Sequence, residues 1–302
     1  MKLQTPVADE TCKVGISYDD KILMMGSCFT DNIGQQLADF GFDVCINPFG
    51  TLYNPVSLLE NVRLMISERA FGTEDCIEIG AGDTRICSFC HHTSFARTSV
   101  EEFINDANVA LEQAREFFRE CNKVIITLGT SWCFRHMESG RVVSNCLKRP
   151  SGEFRREFLT ASQTGEALKE IIRLCNSGSD ASGAATRPKE FIFTVSPIRH
   201  FKDGAHGNQV SKASLLLGVE DALAWASGKT EQVPADYFPA SEIMMDELRD
   251  YRFYAEDMCH PSQQAVNYIR ERFLAWALPA SETTRLEENI RDFRRRCHIE
   301  KH

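Results

Sequence analysis

The sequence predicts an α/β protein built on a doubly wound, mostly parallel sheet. Three observations carry that expectation. Predominantly apolar runs of strand length recur at residues 22 to 25, 123 to 129 and 191 to 195, the pattern of strands covered on both faces. Segments with helical spacing separate these runs, so strand and helix alternate along the chain. Each run also ends in small or polar residues (Gly26-Ser27, Gly129-Thr130, Ser196-Pro197), at the edge where open α/β sheets bind ligands.

Residues 1 to 20 are a polar lead-in to the first strand. After the turn at Gly26, Asp31 and Asn32 suit a first helical turn, Ile33, Leu37 and Phe40 follow at helical spacing, and Gly41 stops the helix. Residues 42 to 46 read as the second strand. It runs into Asn47-Pro-Phe-Gly-Thr-Leu-Tyr-Asn-Pro55, whose two Asn-Pro steps predict a shaped loop at the same sheet edge. A helix is expected over 56–70, short β pieces over 72–97 and an amphipathic helix over 100–121. Within 72–97, His91 and His92 stand among aromatics, either as a pocket wall or as two surface histidines. The third strand is 123–129, and residues 140–150 form a hairpin arm or loop over the strand ends. A helix follows at 165–175, then a Gly/Ser/Ala-rich surface loop at 177–185. The strand at 191–195 leads into a loop carrying Arg199, His200, Lys202 and His206, a cationic cluster in an acidic chain. A helix over 210–227 and a last strand over 237–244 come next; residues 247–258 show no clear period. Pro261 precedes a helix at 263–278, and 281–302 is a charged helix with few core positions. The whole, residues 1–302, reads as one domain with its core at about 21–278.

Composition narrows the function. A net charge of −9 argues against a nucleic-acid surface, and no apolar stretch approaches a membrane span. No export signal is read, and the twelve cysteines are scattered, so reduced thiols and a cytoplasmic location are expected. Cys87 and Cys90 with His91 and His92 lack a second pair at finger-like spacing, and no glycine-rich phosphate loop is present. No metal and no cofactor are expected.

Two places carry residues suited to covalent chemistry. Ser27 stands at the carboxyl end of a parallel strand beside a helix amino end, as a nucleophile or as a helix N-cap. Asp257 and His260 are three apart, directly before the last long helix. In a turn, that spacing lets the carboxylate hold one ring nitrogen while the other takes a proton from a nucleophile. Cys28 is the rival nucleophile, since a thiol at a helix amino end has a lowered pKa.

Five blocks, Gly26-Ser-Cys-Phe-Thr30, the Asn47 to Asn54 loop, Thr127-Leu-Gly-Thr-Ser-Trp132, Ser196-Pro-Ile-Arg-His200 and Glu256-Asp-Met-Cys-His-Pro261, resemble those of the GSCFA-domain family, which belongs with the SGNH/GDSL hydrolases. They span residues 21 to 275. The resemblance implies a flavodoxin-like three-layer αβα sandwich and serine-dependent hydrolysis of an acyl or acetyl ester, with a small molecule or a carbohydrate as the substrate's alcohol part. Carried over by position, Ser27 is the nucleophile, His260 the general base and Asp257 its orienting partner, with the N–H groups of Ser27 and Gly50 as oxyanion donors. The chain departs from the pattern in two places. Thr30 replaces alanine in the naming motif, and the third-block oxyanion asparagine is absent. Thr130 or Ser131 then offers a hydroxyl, or Asn145 reaches in from the next loop. Asn47, Ser131, Arg199, His200 and His206 are the expected substrate contacts, the last three toward an anionic or sugar group. Acyl transfer to a sugar or other hydroxyl, and a non-catalytic binding module of the same fold, are the alternatives.

Overall fold

The computed structural model describes residues 5–7, 12–228 and 232–299. The first apolar run is strand β1 (Lys21–Gly26), followed by helix α1 (Cys28–Asp39) and strand β2 (Asp43–Ile46). Asn54 caps helix α2 (Pro55–Ile66), accepting from the Ser57 N–H, with Pro55 at the first helical position, where its missing donor costs nothing. A two-stranded hairpin, β3 (Ile77–Glu78) and β4 (Ile86–Cys87), precedes helix α3 (Val100–Glu120) and strand β5 (Lys123–Leu128). Then comes a small antiparallel sheet of β6 (Trp132–His136), β7 (Val142–Val143) and β8 (Phe154–Phe158), ordered β7-β6-β8. Helix α4 (Ala161–Cys175), strand β9 (Glu190–Val195), helix α5 (Gly204–Ala226) and strand β10 (Ala235–Phe238) complete the repeat. A short α6 (Ala240–Glu242) opens into a π-helical stretch (Ile243–Leu248), and helices α7 (Gln263–Ala277) and α8 (Thr283–Ile299) close the described chain.

The main sheet has the order β10-β9-β5-β1-β2, and every pairing in it is parallel. Period-two alternation of the buried strands divides the core in two. Leu23, Met25, Val124, Ile126, Phe191 and Phe193 face α2, α3, α4 and α5, while Ile22, Met24, Ile125 and Ile192 face α1, α6, α7 and α8. The result is a three-layer α/β sandwich. Each fully buried Leu or Phe contributes about 1.5–3 kcal/mol, so the continuous apolar strands dominate the stability. The chain runs outward from β1 to β2 on one side and to β5 on the other, which places the switch point at the carboxyl ends of β1 and β5. No helix among the described residues is long and apolar enough to cross a membrane.

Several boundaries differ from expectation for local reasons. The last strand ends at Phe238, because Pro239 removes the next ladder donor and the chain turns into α6. Helix α2 stops at Ile66, where Ser67 is extended. Helix α4 starts four residues early, set by a capping box between Thr160 and Gln163. His206 lies within the first turn of α5 rather than in the preceding loop. Residues 300 to 302 of the expected charged tail, and the outer lead-in residues 1–4 and 8–11, lie outside the described residues.

Gly26 shows how tightly the switch point is built. Its φ is +146°, and a Cβ added there would lie 2.2 Å from the Thr127 carbonyl oxygen on β5. Gly26→Ala is therefore expected to destabilise the fold by about 3 kcal/mol or more, read as a lowered denaturation midpoint with unchanged m-value.

Candidate functional site

The turn after β1 separates two neighbouring side chains. Ser27 is the N-cap of α1 with φ −68° and ψ 172°, and its Oγ accepts from the Phe29 N–H at 3.3 Å. It has 0% exposure, and its own N–H continues the sheet ladder by donating to the Thr127 carbonyl at 3.1 Å. Cys28 is the first residue inside the helix. Successive helical positions are rotated by about 100°, so its thiol emerges where the serine does not, in the wall of a cavity of about 1020 Å³. Of this turn, Cys28 lines the cavity, while Ser27, the expected nucleophile, stands one residue before it as the helix cap. Burial first, then the Asp31 carboxylate, pushes that thiol's pKa up, while its own N–H, that of Phe29 and the Lys212 ammonium pull it down.

Asp257 and His260 meet as their spacing requires. Asp257 Oδ1 accepts from the backbone N–H groups of Cys259 and His260, each at 2.9 Å, and Oδ2 lies 2.5 Å from His260 Nδ1. Those bonds, the His260 N–H foremost, hold the Asp257 carboxyl down at about 2. Nδ1 is thereby committed, and Nε2 is the ring nitrogen left for proton transfer. Both residues stand in the wall of the cavity that contains Cys28. The loop is closed on itself by the Ala255 N–H donating to the His260 carbonyl at 2.8 Å, with Met258 at φ +57°. Arg199 ties it to the end of β9: its N–H donates to the Cys259 carbonyl at 3.0 Å and its Nη1 to that of Met258 at 3.2 Å. The guanidinium is stacked 4.0 Å from the Phe201 ring and 4.9 Å from Tyr254.

The other expected residues divide. Thr130, Asn145, Arg199 and His200 line the cavity; Asn47, Gly50, Ser131 and His206 do not. Asn47 is a brace: Oδ1 accepts from the Gly26 N–H at 2.8 Å and Nδ2 donates to Asp31 at 2.6 Å. The Gly50 N–H closes a turn onto the Asn47 carbonyl at 2.7 Å, and the Ser27 N–H is bonded to the Thr127 carbonyl. Ser131 is fully buried, with its Oγ donating to the Ser211 carbonyl at 2.7 Å. Thr130 Oγ1 accepts from the Trp132 N–H and lies 3.0 Å from Ser211 Oγ. Asn145 uses Oδ1 to accept from the Leu147 N–H at 2.7 Å, which leaves its Nδ2 as the side-chain amide donor in the wall. Burial, Lys212 and His260 hold the His200 imidazole down at about 4, against the pull of the Gly129 carbonyl, so it is neutral at pH 7. His206 is exposed on α5. His91 is neither pocket wall nor surface: it is buried among Phe49, Phe71, Phe95 and Phe103, with Nδ1 bonded to Ser88.

Sequence reasoning missed much of the wall. Trp132 and Phe134 from β6 and Arg156 from β8 line it, with the Arg156 guanidinium 4.0 Å from the Trp132 ring and ion-paired to Asp203. Tyr53 lines it too, its phenol pushed up to about 12 by burial and by the neighbouring Cys28 and Asp31. Behind the wall lies Lys212. The signal for it was positional: Ser211, Leu215, Val219 and Ala222 form the buried stripe of α5, and Lys212 sits in that stripe.

These features define an α/β sandwich protein whose parallel sheet opens, at its switch point, onto one cavity holding a thiol and an aspartate-oriented imidazole. The model of the GSCFA family matches residues 21–273, most of the chain, and the protein belongs to that family. Among curated proteins no match was found.

Proposed function

We propose that the protein is an acyl-transfer enzyme of the SGNH type that hydrolyses an acyl or acetyl ester, with Cys28 in the nucleophile's place, His260 as general base and Asp257 orienting it. The observation that carries this reading is the shared cavity: Cys28, Asp257 and His260 come from opposite ends of the chain into one wall. In the reaction His260 takes the thiol proton as Cys28 sulfur bonds to the ester carbonyl carbon. The tetrahedral oxyanion then collapses, the carbon–oxygen bond to the alcohol breaks, and His260 returns the proton to the leaving oxygen. Water attacks the thioester, giving its proton to His260; the carbon–sulfur bond breaks and the thiol is restored. Asn145 Nδ2 is the side-chain donor for the oxyanion. Trp132, Phe134 and Phe201 give the cavity apolar faces suited to an acyl chain or the C–H face of a sugar, and a carbohydrate ester fits this lining. The half-exposed His260 admits water or a second hydroxyl, so transfer to a sugar acceptor is the companion reading.

A reagent comparison tests the nucleophile. Iodoacetamide is expected to abolish turnover of an ester panel in proportion to modification of Cys28, while a fluorophosphonate, which captures an activated serine, leaves the protein unlabelled. Fluorophosphonate labelling lost in Ser27→Ala would instead establish the serine-dependent form. Turnover that accelerates when sugars are added identifies the transferase.

A further inference from the structure

Lys212 is the buried ionisable group that the proposed reaction leaves unused. It lies inside the sandwich on α5 with 7% exposure, and Nζ donates to the carbonyls of Gly129 and Ser196, both at 2.7 Å. Among the described residues it has these two carbonyl partners and no carboxylate in ion-pair contact. Gly129 directly follows β5 and Ser196 directly follows β9, while Cys28 follows β1 by one residue; the three strands are adjacent. Neighbouring parallel strands lie about 4.8 Å apart, so the ammonium sits beneath the same row of strand ends that carries the thiol. A cation removed from water with no carboxylate in contact is costly, and such groups cluster where their field acts on a functional neighbour.

We infer that Lys212 is a positioning residue for Cys28: its buried ammonium, fixed by the two strand-end carbonyls, supplies the positive charge that lets the adjacent thiol react as a thiolate. The inference rests on the reading of Cys28 as nucleophile and adds the source of its activation. The charged and titratable groups around the thiol are Asp31 on its own helix, Tyr53 from the loop before α2, Lys212 from α5, and Asp257 and His260 across the cavity. Of the two charges that act on the thiol, Asp31 opposes the thiolate more strongly than Lys212 favours it. The effect is reciprocal. Burial holds Lys212 down at about 7, and the negative charges of the Cys28 sulfur and of Glu242 on α6 pull it upward. Thiolate and ammonium therefore stabilise each other in a site that disfavours either alone.

The test reads the thiol's charge without using any ester. Carbamidomethylation of the Cys28 peptide by iodoacetamide is followed by mass spectrometry across pH in wild type and Lys212→Gln, which keeps an amide donor for the carbonyls but no charge. The expected result is a profile moved upward by about one pH unit, with a roughly tenfold slower reaction at neutral pH. Superimposable profiles overturn the inference. Because Lys212→Gln also disturbs two buried carbonyls, a second measurement leaves Lys212 in place. The Lys212 Cε resonance is titrated in wild type and in Cys28→Ser, and the lysine midpoint is expected to fall when the ionisable sulfur is gone. An unchanged midpoint overturns the inference as well. A shifted alkylation profile in a protein that turns over no ester keeps Lys212 in this role and rejects the proposed hydrolysis, so the two failures are separable.

Discussion

Cys28→Ala is expected to lower ester turnover by about a thousandfold or more, the loss typical when a covalent nucleophile is deleted from a preorganised site. Ser27→Ala is expected to keep turnover within a few-fold and to lose only the N-cap, about 1 kcal/mol of stability. The contrast follows from one turn of backbone. Ser27 has no exposed surface and its hydroxyl faces the Phe29 N–H, whereas the Cys28 thiol lies in the cavity wall with His260. Initial rates on an ester panel, paired with thermal melts, check both variants. The opposite ranking would mean that Ser27 leaves its cap to react, and the thiol would lose its assigned role.

Asp257→Asn is expected to cost about 10³–10⁴ in rate with the fold intact. The asparagine carbonyl can still accept from the Cys259 and His260 N–H groups, so the loop keeps its shape. Its amide N–H₂, however, faces His260 Nδ1 and donates to it. The ring proton then moves to Nε2, and no lone pair remains there to take a proton from the thiol. A far larger fall in rate than in melting temperature is the signature to look for. The pH dependence has a defined sign. Because the folded pKa of Asp257 is depressed to about 2, below the ordinary aspartate value, its contribution is complete above the ordinary range and is lost only as pH falls toward 2. An acid limb at mildly acidic pH in the wild-type rate profile is therefore not the titration of Asp257.

The sheet was legible because its strands are buried on both faces. Predominantly apolar runs such as residues 124 to 128 and 191 to 195 need no partner information to be recognised, and strand–helix alternation then orders them. The Asp257–His260 pair was legible because three residues in a turn fix its geometry locally. The antiparallel β6-β7-β8 sheet was not. Trp132-Cys-Phe-Arg-His136 and Phe154-Arg-Arg-Glu-Phe158 are short and partly solvated, and cross-strand pairing such as Arg135 with Glu157 supports them. Which of Ser27 and Cys28 lines the cavity was not legible for a finer reason: a strand-to-helix junction exchanges a period of two for one of 3.6. Which neighbour faces the crevice then depends on where the helix begins, and element ends are the least determined part of any sequence pattern.

That small antiparallel sheet sits between β5 and α4 and supplies Trp132, Phe134 and Arg156 to the cavity, while the thiol and the imidazole come from β1's end and the loop before α7. On the proposed function, selectivity and reactivity are carried by separate stretches of polypeptide. An evolving lineage can rewrite the former by substitution or by changes in hairpin length and leave the latter's foundations untouched, so members of one family built on this plan are expected to share a mechanism while diverging in what they accept.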